Sequence, residues 1–207
     1  MPLRFFNTLT RSLEEFTPIE AGKVKLYTCG PTVYNYAHIG NFRTYVFEDV
    51  LRRTLKYFGY QVHQVMNLTD VEDKIIRRAR EEKVSARSIT DKYIQAFFAD
   101  LDTLNIERAE DYPRATESVD KMAEIIRKLL ADGVAYRSED GSIYYCISKF
   151  PDYGQLAHIE VEDLKAGARV AQDEYDKCRA DEADGRPREW IDMSADIRPC
   201  VDRNTEH

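Results

Sequence analysis

Residues 27–41, "YTCGPTVYNYAHIGN", separate two segments of the chain with different hydrophobic periods. Before this stretch, residues 23–30 ("KVKLYTCG") alternate as a half-buried strand does, with Val24, Leu26 and Thr28 on one face. After it, apolar residues recur at helical spacing up to Gly59, a typical C-terminal helix cap; they are Phe42, Val46, Val50, Leu51, Leu55 and Phe58. We therefore expect a strand, a turn and a helix.

A second strand and three further helices are predicted downstream. "YQVHQVMNLT" (60–69) is apolar enough to be buried, and so short a strand–helix–strand unit favours a parallel pair with a right-handed crossover. A capping box at residues 69–72 predicts a helix through "DKIIRRAREE". Residues 133–148 predict a β-hairpin. Residues 88–106 and 116–133 each have the period of a helix with one apolar face toward the core. In the first helix this face consists of Ile89, Tyr93, Phe97, Leu101 and Leu104. In the second it consists of Val119, Met122, Ile125, Ile126, Leu129 and Leu130.

Composition and charge limit the class of protein. The 207 residues carry a formal net charge of −7, which argues against a protein that coats nucleic acid through a basic surface. The four cysteines are widely scattered and resemble no disulfide framework, and no apolar run has the length of a signal peptide or a membrane span. We therefore expect a reduced, soluble, cytoplasmic protein. From Gln172 to His207, 17 of 36 residues are charged, and this segment is expected to be disordered.

Polar side chains gather at the ends of the two predicted strands. Cys29 ends the first strand, and Thr69 and Asp70 end the second, so a thiol, a hydroxyl and a carboxylate are expected at one edge of the sheet. Ligands of parallel α/β sheets bind beyond these carboxyl ends. His38, Gly40 and Asn41 stand at the start of the intervening helix, where free backbone N–H groups and the helix dipole favour phosphate. The pattern predicts nucleotidyl transfer, with catalysis by positioning and electrostatics.

Each of these residues also has an ordinary structural explanation. A single cysteine at a strand end is usually a small core residue, and a histidine near a helix start is usually a surface donor. Asp70 and Glu72 fit helix-capping carboxylates. The combination, rather than any single residue, favours a functional site. No GxxxxGK[ST] or GxGxxG motif is present, so a P-loop or a dinucleotide site lacks support.

Three blocks of sequence resemble the N-terminal half of the cysteinyl-tRNA synthetases, a class I family; they are residues 27–53, 59–79 and 113–119. The likeness extends from about Phe5 to Lys177. It implies an α/β fold in three parts: the first half of a class I Rossmann-like parallel sheet with helices (1–115), the start of a connective insertion containing the β-hairpin (116–171) and a divergent charged tail (172–207).

The resemblance also implies a function. The family activates cysteine with ATP, which Mg accompanies, and transfers it from the adenylate to tRNA(Cys), while a zinc ion binds the substrate thiolate. His38 and Asn41 would be catalytic, within an ATP-binding region made of Pro31, Thr32, His38, Ile39, Gly40 and Asn41. Gly30 and Thr69 would lie beside the substrate cysteine, and Cys29 would be a zinc ligand.

The chain departs from the family's pattern in several places. Asn41 replaces the last histidine of the HIGH signature, which keeps a donor but loses a titratable ring. "GRPREWIDMSADIRPC" (185–200) stands where the family has a "WHIECSAM"-like segment, with Met193 in place of a ligand cysteine. The second Rossmann half, the KMSKS loop and the tRNA-binding helical domain have no counterpart in the sequence. These departures predict an incomplete zinc site and weak activity or none.

Several hypotheses follow. The first is a truncated cysteine–tRNA ligase whose sequence changes abruptly after Lys177, as after a frameshift. The second is a non-catalytic nucleotide-binding or interaction module derived from a synthetase, associating through an open sheet edge and an uncovered apolar face. A related ligase that joins cysteine to an amino sugar in thiol biosynthesis, and a small HxGH nucleotidyltransferase, also remain. Residues 29–41 and 67–74 fit the tRNA ligase better than the thiol-biosynthesis ligase. Cys29 and the long helical insert argue against the small nucleotidyltransferase.

Overall fold

The structure, a computed structural model, describes residues 2–138 and 141–158. These residues form two compact units, one of residues 18–121 and one of residues 2–17, 122–138 and 141–158. The tail for which we expected disorder lies outside the described residues, and the three-part division given above stays a prediction.

In chain order the elements are β1 (Arg4–Asn7), β2 (Ser12–Glu15), β3 (Lys23–Thr28), α1 (Ile39–Tyr57), β4 (Gln61–Met66), α2 (Asp73–Glu82), α3 (Ala86–Thr103), a 3₁₀ turn (Thr116–Ser118), α4 (Val119–Ala131), β5 (Ala135–Arg137), β6 (Ile143–Tyr145) and a second 3₁₀ turn (Ile147–Lys149). β3 and β4 pair in parallel, with Val24 opposite Val62 and Thr28 opposite Met66. The predicted strand–helix–strand unit is therefore confirmed.

A third extended segment, which the sequence analysis did not predict, completes the sheet beside β4. The N–H of Met66 donates to the carbonyl of Asp111 (3.0 Å), and the N–H of Leu68 donates to that of Pro113 (2.9 Å). Ala115 donates back to the carbonyl of Leu68 (3.0 Å). β4 therefore lies between β3 and residues 111–115. The sequence does not have a recognisable strand pattern here, because this segment is short and contains a proline, which is depleted in strands.

Helix α1 buries only part of the apolar set that recurs at helical spacing. Leu55 is buried, whereas Val46, Val50 and Phe58 are 42%, 56% and 45% exposed. The buried residues are Tyr45, Glu48, Arg52 and Leu55. Apolar periodicity missed this stripe because half of it is polar. Such groups are buried where hydrogen bonds satisfy them, which an apolar pattern does not reveal.

Helices α2 and α3 lie where the periodicity placed them, but their starts differ. Glu72, not Thr69, is the N-cap residue of α2, so the predicted capping box is wrong. Ser85 caps α3 by accepting from the N–H of Ser88 (3.1 Å). Leu104 is 48% exposed, against the prediction. The core of this unit is formed by Val33, Tyr45, Met66, Leu68, Ala79, Ile89, Tyr93, Ile94, Phe97, Leu101 and Ile106.

The other unit contains two antiparallel hairpins. β1 pairs with β2, and β5 pairs with β6, which confirms the predicted hairpin after α4. The inward stripe predicted for α4 is wrong at Met122 and Ile125, which are 43% and 51% exposed, while Ala123 is buried. No helix among the described residues is both long and apolar enough to cross a bilayer.

Candidate active site

The loop after β3 is joined to the segment after β4 by backbone hydrogen bonds. The N–H of Thr69 donates to the carbonyl of Pro31 (3.0 Å), and the N–H of Val33 donates to the carbonyl of Thr69 (3.1 Å). Thr32 and Thr69 thereby form a parallel bridge beyond the ends of the two strands. The structure thus brings the predicted residues Gly30, Pro31 and Thr32 together with Thr69 at one edge of the sheet.

The side chain of Asn67 holds this edge together. Its Oδ1 accepts from the N–H of Gly30 (3.1 Å) and from the hydroxyl of Tyr27 (3.1 Å). Its Nδ2 donates to Oγ1 of Thr69 (3.1 Å), which leaves the hydroxyl proton of Thr69 free to donate. Sequence reasoning missed Asn67. The available signal was a polar residue at the carboxyl end of a parallel strand.

Gly30 is in contact with the backbone of β4's carboxyl end. A Cβ atom at this position would overlap the carbonyl oxygen of Asn67 and lie 2.8 Å from Cγ of Met66. The residue is therefore required to be glycine so that the two strand ends can approach, independently of any ligand.

Cys29 lies at the same edge with an exposed, free thiol. Its sulfur is 3.8 Å from the carbonyl oxygen of Gly30. Within residues 2–138 and 141–158, no group of three or more His, Cys, Asp or Glu side chains could hold a metal ion. A structural zinc site uses four ligands, so the described residues do not by themselves fit zinc, and Cys29 as a ligand stays a prediction.

A buried polar chain runs beneath Cys29. Nε2 of Gln64 donates to Oγ1 of Thr28 (3.0 Å), and the Thr28 hydroxyl is in turn a donor to Glu48. Burial, together with the negative charges of Glu48 and of Cys29 as a thiolate, raises the pKa of Tyr45 to about 12. Tyr45 is thus a neutral phenol at physiological pH. Burial also raises the pKa of Glu48, and the hydrogen bond from Thr28 offsets part of this increase.

Glu48→Gln is expected to stabilise the protein at neutral pH. The folded state holds the Glu48 proton more tightly than the unfolded state, so wild-type stability falls as pH rises from 4.5 through the raised pKa and is constant above it. Glutamine keeps an acceptor for Thr28 and carries no charge. Urea unfolding of both proteins at pH 7.5 and below 4.5 measures the difference, which should disappear at the lower pH. An equal gain at both pH values would show that packing, not ionisation, is responsible.

Asp70 has a different role from the cap we expected. Its two carboxylate oxygens accept from the N–H of Thr116 (2.9 Å) and from the hydroxyl of Thr116 (2.6 Å). Asp70 is buried and thereby fixes the start of the 3₁₀ turn that leads into α4. Local spacing suggested a helix cap because a contact 46 residues away has no signature in the sequence.

His38 and Asn41 meet at the start of α1 as the sequence placed them, but they form a capping box. Nδ1 of His38 accepts from the N–H of Gly40 (3.0 Å), and Oδ1 of Asn41 accepts from the N–H of His38 (3.0 Å). A Cβ at Gly40 would lie 2.9 Å from the His38 ring, so glycine lets the ring fold over the helix end. Because Nδ1 accepts, the neutral ring carries its proton on Nε2. Nε2 of His38 and Nδ2 of Asn41 are the donors left for a ligand.

Two substitutions of His38 separate capping from ligand binding. His38→Ala is expected to cost about 1 kcal/mol in the free energy of unfolding, because the Gly40 N–H loses its acceptor. His38→Asn should remain within about 0.5 kcal/mol of wild type, because asparagine is among the best N-caps. Chemical denaturation of the three proteins measures both effects. Equal destabilisation by alanine and asparagine would contradict the capping role.

The structure has the features that the class I resemblance predicted. They are a parallel sheet, a helix start at its carboxyl edge that carries the HIGH-like motif, and a cysteine after the first strand. Residues 15–184 match the family described as the tRNA synthetases class I (C) catalytic domain, and the chain belongs to this family. The resemblance noted above and the predicted fold class are thereby confirmed.

The curated relatives are cysteine–tRNA ligases. The one from Protochlamydia amoebophila is 56% identical over 179 residues, which is 86% of this chain and 37% of the relative. The one from Methanosarcina mazei is 52% identical over 202 residues, 98% of this chain and 41% of the relative. The chain thus spans about two fifths of the length of these relatives. The second alignment extends into the segment after Lys177, and the abrupt change of sequence there stays a hypothesis.

Among solved structures, a LeuRS from Agrobacterium radiobacter K84, in a ternary complex with tRNA and LeuAMS, shares the fold. The TM-score is 0.50 at 22% identity, covering 59% of this chain and 16% of that chain. This similarity concerns the fold alone.

Proposed function

We propose that the chain carries the cysteine-activating part of a cysteine–tRNA ligase. The observation that supports this most directly is the sheet edge, where the strand-end pairing gathers Cys29, Gly30 and Thr69. In the reaction, a carboxylate oxygen of cysteine attacks the α-phosphorus of ATP, a P–O bond forms, and pyrophosphate leaves with its bridging oxygen. The resulting adenylate then transfers cysteine to tRNA(Cys).

The geometry at the start of α1 supports roles for the residues that we propose to bind ATP. Nε2–H of His38 and Nδ2–H of Asn41 donate to the ATP phosphates and follow the charge that develops there, while Mg accompanies the nucleotide. The capping box fixes both side chains beforehand, so little entropy is lost when ATP binds. Pro31, Thr32, Ile39 and Gly40 belong to the backbone that surrounds the nucleotide.

We place the substrate cysteine at the carboxyl edge of the sheet, beside Asn67. The hydroxyl of Thr69, oriented by Asn67, donates to the amino acid, and the absence of a side chain at Gly30 leaves room for it. If zinc is held here, Cys29 would be one of its ligands, and the others would come from outside the described residues. Zinc there would favour a thiolate substrate over serine, because a thiolate is the softer ligand.

Cysteine-dependent ATP–pyrophosphate exchange by the 207-residue chain, with zinc and Mg added, tests the proposal. We expect slow exchange with cysteine and none with serine. His38→Asn, which keeps the cap, should lower the rate at least about ten-fold. This is less than the roughly hundred-fold loss on complete removal of an electrostatic donor, because asparagine keeps an N–H. A folded chain that gives no exchange above background, or equal exchange with serine, would overturn the proposal.

A second candidate is an interaction module, which the exposed apolar face of α1 favours. Ile39, Phe47 and Tyr57 are 88%, 67% and 88% exposed, and among the described strands β3 pairs only with β4. Such a face and edge favour association with another polypeptide. Light scattering after size-exclusion chromatography measures the molar mass and so distinguishes a monomer from an associated state. A monodisperse monomer that binds no hydrophobic dye would contradict this candidate.

A further inference from the structure

A row of alternating aromatic and basic side chains connects the loop before α1 to helices α2 and α3. We call it the basic–aromatic ladder; its members are Lys74, Tyr34, Arg78, Tyr93, Lys92 and Tyr36. Nζ of Lys74 lies 5.1 Å from the ring centroid of Tyr34, and Arg78 donates to the carbonyl of Tyr34 (2.7 Å). The Arg78 guanidinium lies 5.1 Å from the ring centroid of Tyr93.

The ladder ends at an exposed ring. Nζ of Lys92 lies 5.3 Å from the centroid of Tyr93 and 5.9 Å from that of Tyr36. The two rings meet edge to face, with centroids 5.0 Å apart. Tyr93 is buried in the core, whereas Tyr36 is 58% exposed. The core residue Tyr93 therefore fixes the position of Tyr36, and a large part of Tyr36 remains accessible.

The positive charge of the ladder is only partly neutralised. Arg78 pairs with Glu82 (2.6 Å), but in residues 2–138 and 141–158 no carboxylate pairs with the ammonium of Lys74 or of Lys92. Both lysines are exposed. The chain as a whole has a net charge of −7, so this positive surface is a local feature and not an effect of composition.

We propose that the ladder binds single-stranded RNA, with a base stacked on Tyr36 and phosphates contacted by Lys74 and Lys92. Aromatic rings alternating with cations are the arrangement that single strands use, because unpaired bases expose their faces and the backbone carries one charge per nucleotide. A double strand does not offer its base faces. The inference rests on the proposed function for the choice of RNA as the ligand. The loop that carries Tyr36 leads directly to His38, so the ladder lies next to the candidate active site in the chain.

Fluorescence anisotropy with a short labelled oligoadenylate and the 207-residue chain, over a series of salt concentrations, tests the proposal. Tyr36→Ala should weaken binding about ten-fold, since stacking on one aromatic ring has this order of effect. The double variant Lys74→Gln, Lys92→Gln should lower the slope of log affinity against log salt by about 1.4, because each phosphate contact contributes about 0.7.

Matched controls lie elsewhere on the same unit. Tyr57→Ala removes a tyrosine that is 88% exposed at the end of α1, and Lys25→Gln removes an exposed charge on β3. Neither substitution should change the RNA affinity by more than about two-fold or the salt slope by more than about 0.2. The reason is that neither residue belongs to the basic–aromatic ladder. A duplex of the same length should bind more weakly than the single strand.

Loss of folding is checked by circular dichroism, since Lys92 touches the core residue Tyr93. If the double variant is unfolded, Lys74→Glu replaces it, because an acidic residue in the first turn of α2 favours the helix. It should weaken RNA binding at least about ten-fold at low salt. No binding by the wild type, or equal binding by wild type and folded ladder variants, overturns the proposal. Exchange assays contain no RNA, so failure of cysteine activation and failure of the ladder are distinguishable.

Discussion

Replacing Gly30 with alanine is expected to destabilise the protein by more than about 3 kcal/mol. The added Cβ would overlap the carbonyl oxygen of Asn67 and lie 2.8 Å from Cγ of Met66. Relief would require β3 and β4 to separate at their carboxyl ends, which breaks the bond from Gly30 to Asn67 (3.1 Å). Urea unfolding followed by circular dichroism gives the change in the free energy of unfolding.

Gly22→Ala is the matched control for this prediction. Gly22 has a φ of +75° but nothing within 4 Å of an added Cβ, so the cost is limited to the left-handed backbone, about 1 kcal/mol. The difference between the two variants then measures the close approach at the site. A Gly30→Ala protein as stable as Gly22→Ala would show that the strand ends are further apart than described.

Replacing Arg52 with methionine is expected to cost about 3 kcal/mol. Arg52 is 3% exposed, donates to Oε1 of Gln64 (3.3 Å) and binds the Arg108 carbonyl and the Glu110 carboxylate. Its removal takes this donor from the Gln64 and Arg108 oxygens, while the Glu110 carboxylate keeps the N–H of Gln64 (2.6 Å). Glu110 is about one-third exposed (34%), so water relieves part of the loss and the effect stays at the lower end for buried pairs. Denaturant midpoints at fixed pH measure it.

Arg53→Met provides the comparison on the same helix. Arg53 is 42% exposed and pairs with Asp49 (2.7 Å), and an exposed pair of this kind contributes less than about 1 kcal/mol. In the double variant Arg52→Met, Glu110→Gln, part of the loss should be recovered, because the unpaired carboxylate is gone. Equal effects of the Arg52 and Arg53 substitutions would contradict the buried network.

The candidate site was predictable to the extent that it depends on short stretches of chain. Cys29, Gly30 and Thr69 follow directly after strands whose alternation is visible in the sequence, and the structure brings them to one edge. The HIGH-like motif was placed correctly at a helix start. The capping box between His38 and Asn41 was missed, although its spacing of three residues is local, because histidine is an uncommon cap residue.

The parallel pair of β3 and β4, the helices between and after them, and the resemblance to the class I synthetases could all be read from the amino-acid sequence. These features follow from local periodicity and from motifs within single segments. Three other features became visible with the folded chain: the buried face of α1, the extension of the sheet by residues 111–115, and the binding of Thr116 by Asp70. A buried polar group is stable wherever partners satisfy it, and Arg52 and Asp70 find such partners some 46 to 58 residues away, where local patterns carry no information.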